Sequence, residues 1–230
     1  TYSNGIDIGY LKRLEKTTLN GSIYYKKSKG VFTFINEATG NSVYVNDILV
    51  PVIRRSPINL SSQEEIGIEF STNYTHSKNW RIGGNINFYQ SEIIGNYNKV
   101  VYDSKNLIWS ARLNNYLKLF SSVDWQTRLS YRGPQKNAIS TRKGSVSTNT
   151  ALSKDVFGDK MTLTFKINDI FETQKWRLET LGQTYKNYTE ASWRGGRNFN
   201  LSLIYRFNQK KKQGNSRPSY QDYGGEGFGG

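Results

Sequence analysis

The stretch MTLTFKINDIF, residues 161–171, places Met161, Leu163, Phe165 and Ile167 on every second position, with Thr162, Thr164, Lys166 and Asn168 between them. Successive side chains of an extended strand point to opposite sides, so this pattern means a strand with one apolar and one polar face. It recurs along nearly the whole chain. Ile66, Ile68, Phe70 and Tyr74 alternate with Glu65, Glu69, Ser71 and Asn73, and Trp80, Ile82, Ile86 and Phe88 with Arg81, Asn85 and Asn87. Leu107, Trp109, Ala111, Leu113 and Leu117 alternate with Ser110, Arg112, Asn114, Tyr116 and Lys118. The same holds for Val123 to Arg132 and for Asn198 to Phe207. No helical period competes, so the chain is predicted to be all-β and antiparallel. Nine strands are expected, over 5–14, 17–34, 63–76, 79–95, 106–118, 123–134, 144–155, 160–171 and 197–208, with the weakest alternation in 144–155.

The connections sort by length. Glu15-Lys16, Ser77-Lys78, Phe120-Ser121-Ser122 and Val156 to Asp159 are tight, whereas 35–62, 96–105, 135–143 and 172–196 are long, and the two kinds alternate. A transmembrane barrel sorts its links in this way, with short turns at the periplasmic end and longer loops outside. A Greek-key sandwich has no reason to do so. Following the parity, the last strand runs inward and the C-terminus is expected in the periplasm.

The faces point the same way. Glu69, Arg81, Arg112, Asp124, Arg128, Lys166 and Arg206 all fall in the polar phase, more charge than a dry core accepts and an ordinary load for a wet lumen. Tyr10, Tyr25, Tyr74, Trp80, Trp109, Trp125, Tyr131 and Phe171 occupy the apolar phase, as aromatics do in interfacial girdles. The hydrocarbon that the apolar phase seeks is therefore lipid. No run of 18 apolar residues exists, so no helix is expected to cross the membrane.

Composition narrows the chemistry. With no Cys, one His (His76, at an expected tight turn) and one Met among 230 residues, thiolate and imidazole metal sites and His-based triads have almost nothing to draw on. No cofactor, metal site or catalytic cluster is expected; Asp103, Asp124, Asp169, Glu172 and Glu190 are scattered along the chain. The formal net charge of +14 raises the question of nucleic acid. The cations are spread over lumen, loops and tail and form no single stripe with stacking aromatics, so no nucleic-acid partner is expected.

Nine strands is an odd number, and an open sheet in lipid leaves two rows of backbone groups unpaired. Either the count is off by one and the chain forms a small barrel of eight or ten strands, or, as expected here, it is the C-terminal part of a larger barrel with the missing strands before Thr1. Asn59-Leu60-Ser61-Ser62 with Gly67-Ile68-Glu69, then Trp80 with Gly84-Asn85-Ile86-Asn87-Phe88-Tyr89 and Gly95, carry a resemblance. So do Trp109, Arg112 and Asn114, then Tyr131-Arg132-Gly133-Pro134, Asn168-Asp169-Ile170-Phe171 and the terminal Tyr205-Arg206-Phe207. In this order they resemble the C-terminal barrel portion of TonB-dependent receptors, of the outer-membrane β-barrel family of Bacteroidota type. The resemblance implies a bacterial outer-membrane location and a barrel of about 22 strands plugged by an N-terminal domain. It also implies energised uptake of a scarce ligand. The competing expectation is a non-transporting accessory barrel in a larger outer-membrane complex for secretion or barrel assembly.

Two segments are candidates for docking. Residues 1–208 are expected to form the barrel portion and 209–230 a basic, Gly-rich periplasmic tail. In the tail, Lys210, Lys211, Lys212, Tyr220, Tyr223 and Phe228 are candidates for holding a periplasmic partner. In the long segment 35–62, Ile48, Leu49, Val52 and Ile53 offer an apolar surface to an external partner, and Arg54 and Arg55 suit lipopolysaccharide phosphates. Lipid and lipopolysaccharide complete the expected surroundings.

Overall fold

Alternating segments that follow one another closely pair with their sequence neighbours, and the chain is built almost wholly that way. The computed structural model describes residues 1–120, 122–136, 139–158, 160–181, 186–192 and 195–207, with only the backbone at 33, 60, 61 and 100. In chain order the strands are β1 (Tyr2–Arg13), β2 (Thr17–Val45), β3 (Ile48–Ser77), β4 (Trp80–Ile94), β5 (Asn96–Tyr97) and β6 (Val100–Val101). There follow β7 (Ser104–Leu119), β8 (Val123–Arg132), β9 (Gln135–Lys136), β10 (Ser140–Arg142) and β11 (Ser145–Val156). The last are β12 (Met161–Asn168), β13 (Lys175–Leu181), β14 (Lys186–Ser192) and β15 (Asn198–Tyr205).

Nine of these form one antiparallel meander in the order β1-β2-β3-β4-β7-β8-β11-β12-β15, within a few residues of the nine expected strands apart from two long extensions. Its tight turns use left-handed residues, such as Phe120 (φ 48°) and Phe157-Gly158 (φ 56° and 60°). The weakly alternating segment at 144–155 is a full strand, β11, paired with β8 over 145–154 and with β12 over 150–156.

Register fixes the faces. Residues directly opposite one another share a side of the sheet, and one such row runs Thr75–Arg81–Tyr116–Gln126–Ala151–Lys166–Asn200. Another runs Ser22–Glu69–Asn87–Ser110–Arg132–Ser145. Between such rows, on the opposite side, lies Ile8–Ile23–Ile68–Phe88–Trp109. The apolar side is bare: Ile68 is 55% exposed, Leu113 45% and Leu201 70%. Among the described residues only Ile35, Tyr102 and Ile108 are buried apolar side chains. A sheet this large with its hydrocarbon outside and almost no interior is built to be covered by something apolar.

At the tight-turn end of that face, the His76 ring lies 6.1 Å from Tyr74 and 5.0 Å from Trp80, and the Trp80 indole donates to Asn115 Oδ1 at 2.9 Å. Trp125 donates likewise to Thr150 Oγ1 at 2.8 Å. Such aromatics are apolar in body and polar at one edge, the character of interfacial positions. Phe171 is not among them. β12 ends at Asn168, Asp169 turns the chain with φ 50°, and Phe171 lies in the turn beyond.

The segment 35–62 is not the irregular loop expected from sequence. Residues 31–45 continue β2 and 48–61 continue β3, paired only with each other, from Val31↔Ser61 to Val45↔Ile48. Above Ser62↔Ile94 and Tyr2↔Lys29 no wall strand accompanies them, and they stand out as a two-stranded arm about 45 Å long at 3.3 Å per residue. Gly30 (φ 67°) sits at the bulge where the arm leaves the wall, and Asn46-Asp47 (φ 50° and 60°) close its tip in the two-residue turn that suits a twisted hairpin. The other long connections are also partly paired. β5 and β6 form a small hairpin, and β14-β13-β10-β9 form a four-stranded sheet.

Candidate functional site: the polar face and the arm

All seven charged residues singled out for the polar face lie on it. Arg81 and Lys166 share one row and Glu69 lies in another. Arg112 faces Asn85 and Ser130, Arg128 faces Asn114 and Asn149, and Asp124 faces Lys118 and Ser153. Arg206 follows β15 and reaches Thr162 Oγ1 at 2.6 Å.

They divide into two kinds. Near the tight-turn end the charges are tied to the wall. The Arg81 guanidinium lies 4.5 Å over the Tyr116 ring, and the Tyr116 hydroxyl donates to Asp124 at 2.7 Å. Arg206 lies 3.8 Å from Asp155, and Thr162 donates to that same carboxylate. Elsewhere on the face, Glu69, Arg112, Arg128 and Lys166 are exposed, with Arg128 also donating to Asn114 Oδ1 at 2.9 Å. Both signs occur across the face: Glu65 lies 3.7 Å from Lys26 on the β1–β3 side, where Asp7 and Glu69 also lie, and Asp124 and Asp155 lie on the side that carries Arg112, Arg128, Arg132 and Lys166.

One feature of this face escaped the sequence reading. Tyr24, Gly67 and Tyr89 are in register on three adjacent strands, and both tyrosines close over the glycine. A Cβ at Gly67 would lie 2.5 Å from Tyr89 Cβ and 2.6 Å from Tyr24 Cζ. The Tyr24 hydroxyl donates to Asn87 Oδ1 at 3.0 Å. Here the glycine leaves room for rings to lie along the wall, a strand-interior use of Gly that covers its exposed backbone.

The arm carries the other candidates. Ile48 and Leu49 are exposed beside Tyr44 and Val45, while Val52 and Ile53 are partly covered. Arg54 pairs with Glu37 at 3.2 Å and Arg55 lies 4.3 Å over the Phe34 ring, so both arginines engage the arm itself. The arm's base is covered: Ile35 is fully buried, and Tyr102, beside the β5–β6 hairpin, is nearly so. Lys210, Lys211, Lys212, Tyr220, Tyr223 and Phe228 lie outside the described residues.

In the four-stranded sheet Glu190 accepts from Lys175 at 3.0 Å, Tyr188 at 2.9 Å and Arg177 at 2.9 Å. These bonds, Lys175 foremost, hold its carboxyl down at about 2. Among the described residues no group of three His, Asp or Glu side chains is placed to hold a metal.

Wall, faces and loop sorting agree with one comparison: the sequence pattern of the outer membrane protein β-barrel family matches residues 1–205. The chain belongs to that family. No curated protein and no solved structure matches it. Membership in an outer membrane β-barrel family accounts for the bare apolar side, since a bacterial outer membrane supplies the hydrocarbon that the fold lacks.

Proposed function

We propose that this chain is wall from the barrel of a TonB-dependent receptor, one that takes up a scarce ligand with energy passed from the inner membrane. On this reading the polar face lines the lumen, the tight turns and the C-terminus face the periplasm, and the arm and four-stranded sheet stand outside the cell. The observation that carries it is the polar face, where exposed Glu69, Arg112, Arg128 and Lys166 accompany wall-bound contacts such as the Arg206–Asp155 ion pair and the Tyr116–Asp124 hydrogen bond. A lumen occupied by a plug domain or an anionic solute would meet such a surface. The ordered motifs from Asn59 to Phe207 support the receptor reading. The protein acts by binding and passage and not as an enzyme. A plug from the whole protein, outer-membrane lipid and lipopolysaccharide are its proposed partners.

The apolar tip of the arm favours a second reading, a non-transporting accessory barrel that docks a surface or periplasmic protein. Photo-crosslinking of the whole gene product in its own cells separates the two. A receptor forms an adduct with the inner-membrane energy-coupling protein that depends on the proton-motive force. If that adduct is absent and other outer-membrane proteins co-purify in fixed ratio, the accessory reading holds instead.

A further inference from the structure

The apolar face contains one row that contradicts it. Asn4, Lys27, Glu64, Glu92 and Lys105 lie directly opposite one another across β1, β2, β3, β4 and β7. One pleat toward the tight turns, the same strands present Ile6, Tyr25, Ile66, Gln90 and Leu107. Lys27 pairs with Glu64, and Lys105 lies 3.4 Å from Glu92. Two carboxylates facing each other across β3 and β4 repel, and the flanking lysines give the row the order + − − +. The lysine side chains remain 44% and 61% exposed.

Charge on a lipid-facing strand is strongly disfavoured at mid-bilayer and tolerated at the interfaces. Four charges at one register therefore locate an interface. The strand length agrees. Ten residue steps separate Glu64 from Tyr74, which begins the Tyr74–His76–Trp80 ring cluster at the other end. At about 3.3 Å per step they span about 33 Å, which a tilt of about 40° reduces to about 25 Å, the height of an apolar barrel band. Just above the row, at Gly30, the β2–β3 arm leaves the wall.

We infer that the Lys27–Glu64–Glu92–Lys105 row lies in the headgroup layer at the long-loop end, and that Lys27 and Lys105, with Lys29 one pleat above, bind lipid phosphates. An ammonium has three donors, so its one carboxylate partner leaves hydrogens for phosphate oxygens. The carboxylates hold the lysines extended along the wall instead of free in solvent. This inference rests on the barrel reading and is independent of uptake. The phosphate belongs to a phospholipid or to a phosphorylated glycolipid of the outer leaflet.

The test uses the whole protein in bilayer nanodiscs. Since residues 1–230 hold no cysteine, single nitroxide-labelled cysteines at 62, 66, 68 and 70, with any cysteine elsewhere removed, report depth directly. Collision with a water-soluble nickel complex is expected to dominate at 62, and collision with oxygen at 66, 68 and 70. A water-type signal at 66 and 68, or a hydrocarbon-type signal at 62, overturns the assigned level. For the phosphate contact, native mass spectrometry counts retained phosphatidylglycerol, lipid A or a phosphate-free glycolipid. The K27Q/K29Q/K105Q variant is expected to lose phosphate lipid several-fold, and E64Q/E92Q, which frees the ammoniums, to gain it. The lipid most affected identifies the source. Equal retention by a folded triple variant and the unmodified protein overturns the contact.

Discussion

Two structures stand at the long-loop end of the same wall, and they are held together by opposite means. The arm, residues 31–61, depends on the pairing of two strands and ends in exposed Val43, Tyr44, Val45, Ile48, Leu49 and Val50. The four-stranded sheet answers its own polar groups: Lys143 pairs with Glu179 at 2.8 Å, and Glu190 gathers Lys175, Arg177 and Tyr188. A lone hairpin is marginal in water, and an apolar patch left in the open costs hydration free energy. The sheet is not bare of apolar groups, since Trp176, Leu181 and Tyr188 are exposed. The contrast is one of cohesion: ion pairs and hydrogen bonds hold the sheet together, whereas the arm tip rests on strand pairing alone.

The largest effect should come from cutting the sheet loose at its root. Asp169 is 3% exposed, and its carboxylate accepts from Thr173 N at 3.0 Å and from Gln174 N at 3.0 and 3.1 Å. The Asp169 N–H donates to Asn149 Oδ1 at 2.8 Å, which ties the turn leading into β13 to β11. Asp169→Ala orphans two backbone donors and should cost about 2 kcal/mol locally. The amides of 175–181 and 186–192 would then exchange about thirtyfold faster while those of 161–168 hold. Equal protection in the variant would mean that the sheet is anchored elsewhere.

Next is the ion network. The Glu190 carboxyl is depressed from 4.5 to about 2 by hydrogen bonds from Lys175, Tyr188 and Arg177. A depressed acid stabilises the fold above its unfolded value and loses that contribution as pH falls through its folded one. Peptic cleavage within 175–192, normalised to a free peptide of that sequence, should therefore rise between pH 4.5 and 2. In Glu190→Gln cleavage should be faster at pH 4.5 and rise less below it, the remainder coming from Glu179, which Lys143 also holds below the usual carboxylate range. A rise as large as in the unmodified protein would mean that Glu190 does not hold the hairpin.

The wall was legible because its signal is local. Period two along a segment gives a strand, and which residues share its phase gives a face, so Glu69 through Arg206 fall together without knowledge of the pairing. The arm was not legible for the same reason. Ile48-Leu49-Val50-Pro51-Val52-Ile53 does not alternate, because both faces of the arm tip are apolar, and Pro51 and Pro57 argue for a loop. A two-stranded arm tolerates proline on its outward edge, and that edge exists only once the pairing is known. The Tyr24–Gly67–Tyr89 contact was hidden because it joins three segments and depends on their register. The Asp169 turn needed coordinates too, since nothing in Asn-Asp-Ile-Phe alone distinguishes an anchored turn from one more strand end.

The smallest effects are expected in the arm, and they sharpen the comparison most. Replacing Val45 and Ile48 together with aspartate should change wall stability by less than about 0.5 kcal/mol, since both are at least half exposed. A larger loss in denaturant titration would mean that the tip packs against something in the isolated protein. Asp47 adopts φ 60° at the tip, a conformation that glycine takes without strain. In the two-residue turn that joins β2 to β3, Asn-Gly is the pairing most favoured. Asp47→Gly should then stabilise the arm by a few tenths of a kcal/mol, part of the relief being returned as lost unfolded-chain entropy. The gain should appear as slower exchange at Val43 and Val50, the third pair from the turn, with no change at Ile68. If Ile68 slowed equally, the arm and the wall would be one cooperative unit, and the division between the two would fail.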